Sequence, residues 1–216
     1  MNQDKTHGPT TTPLEPSPGS RSKTFRQTLC FTLLYILLAT SLGVPLKAAT
    51  IDQNLSRFVR EDTRNTVFDK AMPAITRLGY APSALTVLTL GVVAGHALDD
   101  DDLRDANLLA GVSIITSSIV TGSLKIAIGR HRPTAPDDRM SMPSGHTTTA
   151  FAVATVLSHS YSPWRVAFYG AATLVGFSRV YTGRHYVADV LAGAVIGTAI
   201  TRLTLTQEAR ILAVPF

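Results

Sequence analysis

Residues 178–205 read SRVYTGRHYVADVLAGAVIGTAITRLTL. The stretch opens with Arg179, Arg184, His185 and Asp189 and then runs without a charge as far as Arg202. From Tyr186 onward Ala, Gly, Val, Ile, Leu and Thr predominate with no period-two alternation, which predicts a helix over 186–205. Small residues such as Ala192-Gly193-Ala194 let helices approach closely, a habit of membrane bundles. An ionic cluster leading into an apolar, small-residue helix sets the fold class as all-α.

The same texture recurs upstream. Apolar stretches predict helices over 82–98, 103–128 (ending at Gly129), 147–158 and 165–180. With 186–205 and the run 29–44 they make a bundle of about six helices, and no internal repeat is visible. The 216 residues amount to one domain, 45% hydrophobic and only 16% charged. Soluble domains carry roughly 25% charged residues, so the deficit points to a membrane. The net charge is +5, yet the cations gather in a few clusters and form no aromatic-interleaved stripe, which argues against nucleic acid as a partner. Cys30 is the single cysteine and sits inside an apolar run, so neither a disulfide nor a cysteine metal site can be drawn.

Three segments follow from the composition. Residues 1–28 are rich in Thr, Pro, Ser and Gly, carry Lys5, Arg21, Lys23 and Arg26, and read as a disordered basic leader. Residues 29–49 fit either a cleaved signal peptide or a first transmembrane helix; both send the rest of the chain toward or across the membrane. Residues 50–210 form the helical domain. Within it 50–80 reads as an amphipathic surface segment anchored by Phe58, Val59, Val67 and Phe68. Residues 99–102 make an acidic turn that lacks the ligand spacing of a calcium loop.

The chemistry lies in three clusters: Lys125 with Arg132-Pro133, then Pro143-Ser144-Gly145-His146, then Ser178-Arg179 with His185 and Asp189. Cations half-buried among apolar helices are costly without a matching anion. Between Lys125 and His146 only Asp137 and Asp138 oppose Lys125, Arg130, Arg132 and Arg139, so a phosphate-like ligand is the simplest countercharge. Gly129 and Pro133 fray the helix there and leave Lys125 and Arg132 at its mouth. Ser144 suits a helix N-cap, where free backbone amides form an anion site and His146 falls in the first turn. On a helix His185 and Asp189 share a face, and the carboxylate orients the ring. Each cluster alone also fits a blander reading: a solvated helix end, a capped loop, a helix-stabilising His–Asp contact or half a metal site. A zinc site would need a third ligand at fixed spacing, and the neighbouring arginines repel metal ions.

All three clusters in this order resemble the type 2 phosphatidic acid phosphatase (PAP2) superfamily, which also holds bacterial class A acid phosphatases and vanadium haloperoxidases. Its pattern K-x6-RP, PSGH, SR-x5-H-x3-D is met at Lys125, Arg132, Pro133, residues 143–146, Ser178, Arg179, His185 and Asp189. The resemblance spans roughly 68–205, and the surroundings look like the membrane-integral lipid phosphatase branch. It implies hydrolysis of a phosphomonoester or diphosphate, most naturally on a lipid, with no cofactor and no metal. His185 is then the nucleophile, forming a phosphohistidine; Asp189 orients it, and His146 is the acid and then the base. Lys125, Arg132 and Arg179, with backbone amides at Ser144 and Gly145, hold the phosphate oxygens.

With a retained first span and the basic leader inside, all three clusters emerge on the outer face. The expected location is the bacterial inner membrane, with the site toward the periplasm or outside and a phosphorylated lipid as partner. The alternatives are a soluble periplasmic acid phosphatase released from a signal peptide and a vanadium haloperoxidase. Phosphatidic acid, phosphatidylglycerol phosphate, undecaprenyl diphosphate and lipid A phosphate all suit the clusters, because these grip only the phosphoryl group.

Overall fold

The computed structural model of the protein describes residues 46–213; the leader, the apolar run 29–44 and Cys30 lie outside them. The described chain is all-helical: α1 (Leu46–Glu61), α2 (Thr66–Arg77), α3 (Ala81–Ala97), α4 (Asp101–Ile128), α5 (Gly145–Ser160), a 3-10 turn (Ser162–Trp164), α6 (Arg165–Tyr181), α7 (Val187–Leu205) and α8 (Glu208–Leu212). The five helices expected between 82 and 205 appear within two residues of their expected bounds. Residues 50–80, expected as a surface segment, fold into two helices. Asn65 separates them, its side chain accepting the Phe68 N–H at 2.9 Å as the α2 cap.

Local chemistry sets the ends of α4. Asp100 caps it, accepting the Leu103 N–H at 2.9 Å, and Asp101 and Asp102 in the first turn oppose the positive end of the helix dipole. Gly129 closes it in the left-handed region at φ 59, a conformation a side chain resists. α5 is the central helix, packed against α4, α6 and α7. The apolar core joins Leu88, Leu109, Ala110, Ile114, Ala152 and Val156 across α3, α4 and α5.

The distribution of polarity is inverted relative to a water-soluble bundle. Ser113, Ser117, Thr121, Thr147, Thr148 and Thr201 are buried, while Ile119, Ile126, Val166 and Leu191 are exposed, Val166 to 86%. Such a surface suits lipid and would be a liability in water. α4 and α7 are each long and apolar enough to cross a membrane, and α2 with α3, bent by 59°, make a third candidate span. The protein is a membrane protein, and the soluble alternative loses its basis in the exterior.

Close backbone approach draws α7 onto the start of α5. A Cβ at Gly193 would lie 2.6 Å from the Ser144 carbonyl oxygen, and one at Gly197 would lie 2.4 Å from that of Thr148. The antiparallel run of α4 to α7 therefore sets the end of α4, the start of α5, the end of α6 and the start of α7 at one end of the bundle.

Candidate active site

The loop between α4 and α5 folds back on itself. The Ser141 N–H donates to the Arg130 carbonyl at 3.0 Å and the Arg132 N–H to that of Asp138 at 3.0 Å. This turn offers the Met140 carbonyl to two cations at once: Lys125 Nζ donates at 2.6 Å and Arg132 Nη2 at 3.4 Å. Arg132 Nη1 reaches the Arg184 carbonyl at 3.5 Å, beside His185. Its Nε lies 2.7 Å from Asp138 Oδ2, an ion pair whose alignment falls short of a hydrogen bond.

Arg179, in the last turn of α6, is 7% exposed. Nη1 donates to Thr76 Oγ1 of α2 at 3.2 Å, while Nε is buried with no hydrogen-bond partner. Among the described residues neither Arg179 nor Lys125 has a carboxylate partner. Buried Arg179 and half-buried Lys125 thus stand in low dielectric with no carboxylate beside them, an arrangement suited to binding an anion.

The chain then turns tightly so that the Arg184 and His185 amides both donate to the Arg179 carbonyl, at 3.1 and 3.2 Å. Gly183 permits that turn at φ 70, and Thr134 Oγ1 ties it to the α4–α5 loop through the Gly183 carbonyl at 2.8 Å. His185 follows, 2% exposed, with Nδ1 at 3.6 Å from Asp189 Oδ2. This corrects the expected geometry: the two residues do not share a helix face. His185 precedes α7, Tyr186 is its N-cap, and Asp189 lies in its first turn. The carboxylate meets the ring across the helix start, longer than a hydrogen bond. Burial pulls His185 down to about 4, with Asp189 opposing and Lys125 and Arg179 adding to the fall, so the imidazole is neutral near pH 7.

Asp189 is fully buried and well supplied with donors: Ser141 Oγ at 2.5 Å, Arg130 Nη1 at 2.7 Å and its own cap amide, Tyr186 N–H, at 2.9 Å. Its backbone carbonyl accepts the Ser144 N–H at 2.9 Å. That bond revises the part expected of Ser144, whose amide is already engaged. Nor does its hydroxyl cap the helix; it accepts from Thr147 Oγ1 at 3.0 Å. Gly145 begins α5, and the amides of Gly145 and His146 have no partner among the described hydrogen bonds, leaving that helix start open to an anion.

His146 sits within electrostatic reach of Arg179, His185, Arg132 and Lys125. On its other side, tilted 34° at 6.0 Å, lies the Tyr80 ring, delivered by the bend between α2 and α3. There His146, Tyr80, Pro82, Gly122 and Lys125 border a cavity of about 260 Å³. The structure thus gathers Lys125, Arg132, His146, Arg179, His185 and Asp189. Sequence reasoning missed Asp52, Thr76, Tyr80 and Ser141, and it counted Arg130 only as a cation. No spacing rule links them, since their partners are remote in the chain.

Fold and site together define a membrane-embedded helical bundle that gathers Lys125, Arg132 and Arg179 around two histidines. The chain belongs to the PAP2 superfamily, whose profile matches residues 106–212. It is 40% identical over 97 residues to the lipid A 1-phosphatase of Porphyromonas gingivalis, covering 43% of this chain and 21% of that one. The chain spans half or less of the length of the first curated relatives it matches. Among solved structures, Aquifex aeolicus LpxE is similar at a TM-score of 0.58 and 27% identity, covering 71% of this chain and 93% of that one. A transmembrane PAP2-type phosphatidylglycerolphosphate phosphatase from Bacillus subtilis reaches a TM-score of 0.68 at 25% identity, covering 83% and 94%.

Proposed function

We propose that this protein hydrolyses a phosphate ester or diphosphate on a membrane lipid through a phosphohistidine at His185. The observation that carries the reading is the pair of cations, half-buried Lys125 and buried Arg179, left without carboxylate partners beside a neutral buried imidazole. With its Nδ1–H turned to Asp189, the ring keeps its lone pair on Nε2, which attacks phosphorus opposite the leaving oxygen. Lys125, Arg132, Arg179 and the Gly145 amide take up the charge on the three equatorial oxygens. Burial, with Arg179 adding to it, draws His146 down to about 4 in the ligand-free protein, and the negative phosphoryl group entering beside it restores the proton that His146 donates to the departing lipid oxygen. His146 then takes one from water, whose oxygen attacks phosphorus and frees His185 and phosphate. The cations already neutralise the phosphoryl group, and no step calls on a metal.

The cavity beside His146 is the place for the leaving group, because the proton donor must face the departing oxygen. The lipid-facing exterior and the lipid phosphates named in the similar proteins support a lipid substrate. Lipid A phosphate and phosphatidylglycerol phosphate are the first candidates. We read the catalytic end as facing the periplasm. α1 lies at that end, bonded through Asp52 to Arg130. The experiment is phosphate release by the purified protein from lipid A, phosphatidylglycerol phosphate and undecaprenyl diphosphate, with p-nitrophenyl phosphate as the soluble comparator. Release from no phosphorylated compound overturns the reading; release from the soluble ester alone removes its lipid part.

A further inference from the structure

Arg130 lies just past the end of α4 and takes no part in the spacing that joins Lys125 to Arg132-Pro133. Its guanidinium is engaged through both terminal nitrogens and one face. Nη1 donates to Asp189 Oδ1 at 2.7 Å, Nη2 to Asp52 Oδ2 at 2.6 Å, and Cζ lies over the Tyr186 ring, 4.1 Å from its centroid. Both arms and one face are taken, so Arg130 has little left to offer a substrate phosphate. Asp52, on α1, uses its other oxygen to accept the Ala188 N–H at 2.9 Å, and Ser56 one turn on accepts the Val187 N–H at 2.9 Å. Two otherwise orphaned amides at the start of α7 are thus satisfied from α1. The segment that does this lies outside residues 106–212, the stretch matched by the family profile.

We infer that Arg130 and Asp52 are positioning residues for the reaction: a half-buried relay from α1 through Arg130 holds the Asp189 carboxylate in place and sets the negative charge His185 faces. The inference rests on Asp189 being the partner of His185. Asp189 alone presents one negative charge to the ring; Arg130 alone would cancel it, and Asp52 on the far side of Arg130 restores it. The side chains are only 24% and 12% exposed, so water screens this exchange weakly. Orientation follows from the same bonds. Asp189 Oδ1 is pinned by Arg130, which leaves Oδ2 with Ser141, the Tyr186 amide and the ring.

The relay has a signature that a purely structural contact lacks, because removing its two ends shifts His185 in opposite directions. Arg130→Gln leaves Asp189 and Asp52 uncompensated and favours the imidazolium. Asp52→Asn keeps an oxygen for the Ala188 amide but leaves Arg130 drawn wholly onto Asp189, which disfavours it. The other groups around the ring stay constant in both variants: Lys125 of α4, Arg132 of the loop, His146 of α5, and Arg179 and Arg184 around the turn.

The experiment is titration of His185 by NMR in detergent-solubilised full-length protein, alongside kcat and KM for p-nitrophenyl phosphate. The His185 midpoint is expected to rise by about half a pH unit or more in Arg130→Gln and to fall in Asp52→Asn. In both variants kcat is expected to fall about tenfold to a hundredfold with KM within about twofold. Arg130→Lys keeps the charge but cannot bridge two carboxylates, so its midpoint stays near that of the wild type while kcat stays low. Midpoints that do not move, or that move in the same direction in Arg130→Gln and Asp52→Asn, overturn the relay. So does a loss of activity that only follows the folded fraction. The NMR arm needs no turnover, so an inactive wild type would sink the proposed function and leave the relay to be judged by its midpoints. Asp52→Asn is nearly isosteric and tests the relay if Arg130→Gln does not fold.

Discussion

Gly193→Ala links the packing of this bundle to its chemistry with a single methyl group. The added Cβ would meet the Ser144 carbonyl oxygen at 2.6 Å and Thr147 Cβ at 3.2 Å. The nearer obstacle is backbone, so no side chain can swing aside. Ordinary contact begins at 3.4 Å, and moving from 2.6 to 3.4 Å opens α7 from α5 by about 0.8 Å. Gly193 stands one turn beyond Asp189, and Ser144 is the residue whose N–H donates to the Asp189 carbonyl at 2.9 Å. The shift therefore separates the His185–Asp189 side of the site from the α5 amides and His146. A misplacement near 1 Å costs about a hundredfold in rate. That is about 2.7 kcal/mol on the barrier. Overpacking removes a further ~1–3 kcal/mol of stability, partly offset by the better helix propensity of alanine. The assay is phosphate release by purified Gly193→Ala, with thermal unfolding in the same detergent. Gly170→Ala is the comparator, because a Cβ there meets nothing within 4 Å; it should turn over like the wild type. Wild-type kcat and an unchanged unfolding temperature in Gly193→Ala would refute the argument.

Three further outcomes are expected. Arg179→Lys keeps a positive charge but loses the fork that Thr76 orients, and kcat should fall ~10²–10³-fold while thermal unfolding changes little; an unaffected kcat removes Arg179 from the phosphate clamp. With His185 as the nucleophile in its neutral form, the acid limb of activity is expected at the folded-state value of His185, about 4, with activity lost as pH falls through it. A pH profile of kcat/KM whose acid limb lies near 6.5 would contradict the burial argument. Gly122 borders the cavity beside His146, and a Cβ there meets nothing within 4 Å. Gly122→Phe should raise KM for a lipid phosphate about tenfold or more and leave p-nitrophenyl phosphate unaffected, whereas equal effects on both would place the leaving group elsewhere.

What the sequence disclosed, and what it hid, divides along the range of the interactions. The bundle was legible because apolar, small-residue stretches carry their own helical signal and Gly129 marks an end. Lys125, Arg132, His146, Arg179, His185 and Asp189 stood out because their residue types are costly in apolar helices, and the order of the three clusters, through its resemblance to the PAP2 pattern, supplied their expected roles. The His–Asp pair was found for a reason only half right, since four-residue spacing also brings side chains together across a helix start. Ser144 misled because its residue type favours capping while the packing of α7 claims its amide. The contacts of Asp52 with Arg130 and of Thr76 with Arg179 join residues 78 and 103 positions apart and leave no local pattern. The helices at 46–77 were blurred for a related reason: α1 exposes Ile51, Leu55 and Phe58 while burying Ser56, turning a polar side toward a polar site.

The most direct measurement is to react the purified protein with a radiolabelled lipid phosphate, quench at alkaline pH and map the label by peptide mass spectrometry. His185 should carry an acid-labile, base-stable phosphate, absent from His185→Ala and accumulated in His146→Gln, which lacks the base for the second step. Label on another residue, or steady turnover in His185→Ala, would show that phosphorus is not transferred to this imidazole.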